Sequence, residues 1–222
     1  MKQYIDMKKV IEELSEERPI FLSEDDMKLE IAWKIKTMYP DAQIRLEYSL
    51  NYKKYNLDTY ERIDILVIIN NGWIPIELKY KKKKFEKTIK DEYFYLRNDG
   101  AQDQGRYNYL RDIERIEKIS KGVPEFIEGY TLLITNDLSY TKAPTKKDGF
   151  ARNFYLFGDK HGKIEWAKNN EGKEASAGTK SGCEKTIKLE DKYAMKWEKY
   201  ADLDKSNSGR FVYLLNRIEK LD

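Results

Sequence analysis

The stretch RIDILVIINNGWIPIELKYKKKK, residues 62–84, limits the fold more than any other part of the chain. Aliphatic and β-branched residues alternate on both sides of an Asn-Asn-Gly turn signal, so the segment reads as a two-stranded antiparallel hairpin. Ile63, Ile65, Val67 and Ile69 form one face of the first strand, and Ile74, Ile76, Leu78 and Tyr80 one face of the second. These are the core face. The opposite face carries Leu66, Ile68, Trp73 and Pro75, together with Asp64, Glu77 and Lys79.

Two registers are open. A turn at Asn70-Asn71 pairs Ile69 with Gly72 and sets Asp64 opposite Glu77, whereas a turn at Asn71-Gly72 sets Asp64 opposite Lys79. In the first register the two carboxylates have Cβ atoms about 5 Å apart, which is destabilising unless a cation lies between them. A divalent metal would serve. The apolar neighbours imply that this face is covered, and burying a charge is costly unless it is paired or metal-bound. The plain structural alternative is a partly exposed salt-bridge ladder that contributes little.

The flanking elements follow from capping and periodicity. Ser23 before Glu24, Asp25 and Asp26 is an N-cap with acids in the first turn, and the helix it opens runs to about Tyr39, before Pro40. Its inward stripe is Met27, Ile31, Ile35 and Met38. Residues 42–50 alternate Ile44, Leu46, Tyr48 and Leu50 against polar positions, as a strand with one buried face does. A helix is predicted over 101–119 and a short buried strand over 129–137, with further strands at 152–157, 163–167 and 210–218. Segments 141–150 and 168–183 are poor in apolar residues and read as loops.

With 222 residues the chain can bury a sizeable core and is expected to form a single domain, a core over about 20–137 with a C-terminal elaboration over 138–222. The 42 basic and 39 acidic residues nearly cancel, so the net charge of +3 does not by itself indicate a polyanionic partner. A lone cysteine, Cys183, excludes an internal disulfide framework, and a lone histidine, His161, excludes a multi-histidine zinc site. His161 stands in a Gly-rich turn and reads as solvated. Metal chemistry here must use oxygen ligands, which suit Mg²⁺ or Mn²⁺. No stretch approaches the roughly 20 apolar residues that span a bilayer, and the charged N-terminus is unlike a secretory signal, so a cytoplasmic protein without membrane partners is expected.

Asp64, twelve intervening residues and then Glu77-Leu78-Lys79 resemble the D…ExK signature of the PD-(D/E)XK nuclease superfamily. The order helix, three strands, helix, strand over about 20–137 is similar to that superfamily's core. The resemblance implies an α/β (α+β) fold with a restriction-endonuclease-like core, its mixed central sheet flanked by helices, and extra C-terminal strands. The proline of the nominal signature is replaced by Ile63, a position with no required chemistry. The run GAQDQGRYNYLRDIERIE further resembles a small group of bacterial proteins within the superfamily. By this resemblance Asp64, Glu77 and the Leu78 carbonyl would hold Mg²⁺ or Mn²⁺, and Lys79 would orient or help deprotonate the attacking water. A glutamate from the first helix often joins such sites. Glu24 is preferred here over Glu30, with Glu47 a third choice, although a first-turn acid has an ordinary dipole explanation.

Lys79, Lys81, Lys82, Lys83, Lys84, Lys87 and Lys90 crowd the stretch just after the motif, where they could track phosphates or simply form a solvated face. On the second helix Gln102, Gln104, Arg106 and Tyr107 lie near the N-terminus, and QDQGRY resembles the Gln/Tyr motif of RecB-like nucleases with a different spacing. Arg106 has a structural alternative, a salt bridge to Asp112 or Glu92. The leading expectation is a metal-dependent nuclease acting on nucleic acid, DNA before RNA, and a homodimer would fit double-strand cutting by symmetry. The competing expectations are a nucleic-acid-binding module without turnover and a structural or partner-binding protein.

Overall fold

The computed structural model describes residues 4–55, 62–145 and 148–221. Helix α1 (Met7–Glu17) begins at Asp6, whose carboxylate accepts the Lys9 N–H at 3.0 Å, and buries Met7, Val10, Ile11 and Leu14. Helix α2 (Glu24–Met38) begins at Ser23, whose hydroxyl accepts the Asp26 N–H at 3.0 Å. That bond satisfies one of the first-turn amides that a helix cannot satisfy itself.

Strands β1 (Gln43–Ser49), β2 (Arg62–Ile69) and β3 (Gly72–Lys81) follow as an antiparallel meander. A separate hairpin, β4 (Phe85–Ile89) and β5 (Glu92–Leu96), leads to α3 (Gln102–Gly122), which returns the chain to β6 (Glu128–Thr135). β6 is parallel to β3, in register from Ile76–Tyr130 to Lys81–Thr135. The C-terminal part supplies β7 (Asp159–Ile164), the single-turn helix α4 (Ala177–Lys180), β8 (Ile187–Ala194), β9 (Trp197–Asp202) and β10 (Arg210–Glu219). Among the described residues the main sheet has the order β1-β2-β3-β6-β10-β9, and β7 pairs with β8 beside it.

The sheet is mixed and has a core on each face. On one side α1 and α2 cover Ile65, Val67, Ile74, Ile76, Leu78 and Leu132; on the other α3 covers Leu66, Leu133, Leu214 and Ile218. Each such side chain contributes about 1.5–3 kcal/mol by leaving water, and burial on both faces rules out a one-residue slip of the register. The turn at Asn70-Asn71 sets that register, with φ of 50° and 63° and Ile69 opposite Gly72. Asparagine is among the few residues that enter the left-handed region readily. Gly72 is needed elsewhere, because a Cβ there would overlap the Ile127 side chain where Trp73 bonds to the Glu125 and Ile127 backbone.

Several expectations are corrected. β1 is an edge strand with mostly exposed side chains, Leu46 being 43% exposed, and is not half-buried; it has no second strand neighbour among the described residues. Ile63 packs with Leu66 and not with Ile65. Residues 152–157 hold a 3₁₀ turn (Arg152–Phe154) in place of a strand, because Phe154 and Leu156 plug the α3 core as a loop does. The strand expected at 163–167 lies earlier, as β7, and α4 interrupts the loop expected over 168–183. Helix α1, hairpin β4–β5 and strands β8 and β9 add to the elements expected from the sequence. No helix among the described residues is long and apolar enough to cross a membrane.

Candidate active site at the open end of the central hairpin

From the turn, β2 and β3 pair only as far as Ile65–Ile76. Beyond that point β3 runs on against β6, and carboxylates take over two of its outward amides. Asp64 Oδ2 accepts the Leu78 N–H at 2.8 Å, and Glu24 Oε2, from the first turn of α2, accepts the Tyr80 N–H at 2.7 Å. The acids therefore finish a sheet edge that a strand has left.

Cations then lock the cluster. Asp64 Oδ1 lies 3.1 Å from Lys28 Nζ, and Lys28 also contacts Asp25 at 3.6 Å and Glu47 in a close ion pair. Glu77, only 1% exposed, pairs through Oε2 with Arg115, while its Oε1 makes no hydrogen bond. Lys79 Nζ sits 2.8 Å from Asp112 Oδ2 and donates to the Leu78 carbonyl at 3.0 Å. Asp112 Oδ1 in turn accepts from Arg115 Nη2 at 2.7 Å. The site thus joins α2, β2, β3 and α3.

The electrostatics differ from acid to acid. Burial pushes the Glu77 carboxyl well above its usual range, against the pull of Arg115 and with further push from Asp112 and Asp64. Burial also raises Glu24, tempered by Lys79 and the Tyr80 N–H. Burial acts on Asp64 in the same direction, but the Leu78 N–H, Lys79 and Lys28 together outweigh it and hold Asp64 below its usual value. For Lys79, burial opposes the charge, yet Asp112, Glu24 and Glu77 raise the pKa, so the ammonium persists at neutral pH.

The sequence-derived set is largely drawn together. Asp64, Glu77, Lys79 and the Leu78 carbonyl form the centre, and Glu24 joins them. Glu30 instead faces Arg18, 4.0 Å from its Nε, and Glu47 reaches Asp64 only through Lys28. Sequence reasoning missed Lys28, Asp112 and Arg115 as members of the site. The i,i+3 spacing of Asp112 and Arg115 was a usable signal; nothing local marked Lys28.

The binding candidates separate into two groups. Lys83 and Lys84 are exposed and Lys81 and Lys82 half-buried, with Lys82 held 3.2 Å from Asp99 and Lys83 3.6 Å from Asp137. Gln104 is half-buried and donates to the Ser181 carbonyl at 3.4 Å, and Gln102 donates to Asp137 at 3.2 Å. Arg106 and Tyr107 are both largely buried, and Arg106 lines an open pocket with Lys83, Gln102 and Gln104. Arg106 pairs with Asp103, not with Asp112 or Glu92, and stacks on Tyr155 at 4.2 Å. Tyr107 donates to the Lys185 carbonyl at 2.7 Å and packs edge-on against Phe154. Their helix face is turned towards the C-terminal segment, which the periodicity of α3 alone could not reveal.

The donor set fits a hard divalent cation. Its members are carboxylate and carbonyl oxygens, and Glu77 Oε1 is a buried acceptor with no donor. Among the described residues, however, no three acidic, histidine or cysteine side chains converge into a ready cage. Asp64 and Glu77 are each drawn towards a separate protein cation. Comparison with protein-family models, with curated proteins and with solved structures finds no match to this chain.

Proposed function

We propose that the chain is a metal-dependent nuclease of the PD-(D/E)XK type that hydrolyses phosphodiester bonds, DNA in preference to RNA. The reading is carried by one observation: where β2 parts from β3, Asp64 accepts the Leu78 N–H and Lys79 donates to the Leu78 carbonyl, with the Glu77 charge coupled to both and Glu24 arriving from α2. The element order from α2 through the meander and α3 to the parallel strand β6 supports it, since that superfamily's core has the same order.

Asp64, Glu77 and the Leu78 carbonyl would hold Mg²⁺ or Mn²⁺. Bound there, such an ion supplies an acidified water and neutralises charge on the phosphate. Lys79 stays protonated, held by Asp112, so its part is to orient the water and to offset negative charge developing on phosphate oxygens. Glu24 ties α2 to β3 and adds a further carboxylate. Lys83 and Lys84, exposed just beyond β3, are suited to phosphate contacts that position a strand without reading bases. A cytoplasmic setting and a homodimer for double-strand cutting belong to the same proposal.

One observation favours a second reading, a nucleic-acid-binding module without turnover: the key acids are paired with Lys28 and Arg115. A cleavage assay separates the two. Purified protein would be incubated with plasmid, linear duplex, single-stranded and branched DNA in Mg²⁺, Mn²⁺ or EDTA, beside Lys79→Ala. The nuclease reading expects metal-dependent cutting that the variant loses. Binding in EDTA with no cutting of any substrate, RNA included, would favour the module.

A further inference from the structure

We propose that Lys28 and Arg115 are stand-in cations, which neutralise Asp64 and Glu77 in the metal-free protein and surrender those carboxylate oxygens when a divalent ion binds. The inference rests on the nuclease reading above and concerns how its metal site is kept closed.

A carboxylate as buried as Glu77 must be paired or it strongly favours the neutral form. Arg115 meets that need only in part, because Oε2 is paired and Oε1 is left without a donor. An ion pair serving stability alone would be expected to leave neither buried oxygen without a donor. The charges of Asp112, Asp64 and Lys79 all act on Glu77 as well.

Each stand-in also has somewhere to go. Arg115 holds Asp112 Oδ1 at 2.7 Å, so giving up Glu77 does not strand its charge. Its side chain is 20% exposed, enough to turn outward. Lys28 has Asp25 and Glu47 as further partners, and both are more exposed than Asp64. Each cation thus bridges a site acid to an acid outside the metal set, and exchange leaves every charge compensated. Lys79 occupies a metal-set oxygen too, the Leu78 carbonyl, but its salt bridge to Asp112 keeps its ammonium beside the site. The pairing of Asp64 with Lys28 and of Glu77 with Arg115 fits the absence of a ready acidic cage among the described residues.

The test is Mn²⁺ titration calorimetry on the full chain, comparing the parent with Arg115→Gln, Lys28→Gln and Glu77→Gln. Circular dichroism reports whether each variant is folded. If Lys28 and Arg115 compete with the metal, removing either tightens Mn²⁺ binding by about two- to fivefold, the equivalent of one modest ion pair, while Glu77→Gln loses it. Should Arg115→Gln fold only when Mn²⁺ is present, the competition is demonstrated directly, and Lys28→Gln gives the affinity shift independently. Affinities in Arg115→Gln and Lys28→Gln equal to or weaker than the parent's, with Glu77→Gln still defective, would overturn the stand-in role and leave the metal site in place. An absence of Mn²⁺ binding in the parent and in both cation variants would overturn the metal site and this inference together.

Discussion

Glu77→Gln replaces the most deeply buried acid of the site with the isostere of its protonated form. Burial raises the Glu77 carboxyl well above its ordinary value of 4.5, so the folded protein holds that proton more tightly than the unfolded chain does. The sign follows by linkage: stability associated with the neutral carboxyl is fully present below pH 4.5 and declines as pH rises towards the folded-state value. Glutamine never ionises and escapes the decline. The two proteins should therefore unfold alike near pH 4 and diverge above it, with the variant the more stable. An acceptor left without a donor, such as Oε1, costs about 1–3 kcal/mol, and the Arg115 pair recovers part of it in the parent. A net gain of about 1 kcal/mol at pH 8 would raise Tm by about 2–4 °C for a chain of this size. Thermal or urea unfolding in EDTA from pH 4 to 8.5 measures the gap. Saturating Mn²⁺ should reverse the order, because only the parent gains a ligand that binds the folded state. A gap that does not change with pH, or a variant less stable than the parent at pH 8, would refute the reasoning.

Other outcomes follow from the same geometry. Lys79→Ala should lower cleavage by about 10²–10³-fold, the usual loss for a preorganised charge aimed at the transition state, with Mn²⁺ affinity retained; calorimetry beside a single-turnover assay separates the two effects. Asp64→Ala leaves the Leu78 N–H without an acceptor and Lys28 short of a partner, so unfolding should show a loss of about 1–3 kcal/mol, while Asp64→Asn, which keeps an acceptor, should lose metal binding with less damage to stability. Gly129→Ala would drive a Cβ into the Ile116 side chain where α3 packs on β6, an overpacking that should cost about 1–3 kcal/mol in urea unfolding. Lys83→Glu with Lys84→Glu should weaken DNA binding and flatten its salt dependence, by a slope of about 0.9 for each phosphate no longer neutralised; an unchanged slope would remove these lysines from the binding surface.

Much of the frame is legible because its signals are local. The Ser23 cap, the hairpin alternation and the buried strand β6 each depend on neighbours within a few residues. The choice of register does not. Two turns fit the local signal equally, the chain takes the one with Asn70 and Asn71 at positive φ, and Ile127, more than fifty residues away, packs where a side chain at position 72 would lie. Hairpin β4–β5 is hidden by its lysines, which read as a charge run; yet Phe85, Phe94 and Leu96 are buried in alternation, and Lys90-Asp91 supplies the positive-φ turn. Helix α1 carries a plain stripe of Met7, Val10, Ile11 and Leu14, masked by the charged residues that make the segment unlike a leader. Within the site, Asp64, Glu77 and Lys79 are readable from strand parity, while Lys28, Asp112 and Arg115 enter through helices whose placement depends on both cores. Arg106 and Tyr107 look like surface groups because the segment that buries them lies some 35 to 80 residues further on.

Asp64 and Glu24 hold main-chain amides of β3 as well as belonging to the site, and this gives the residues of the site unequal histories under mutation. A related chain without the proposed chemistry would still need an acceptor for the Leu78 and Tyr80 amides. It would be free to discard Glu77, whose charge the fold disfavours, and Lys79, whose partners are the Asp112 side chain and a carbonyl that keeps a second lone pair for water. Retention of Asp64 and Glu24 in a related sequence would therefore report only an intact sheet edge. Glu77 and Lys79 are the positions at which a working copy and a silent one should be told apart.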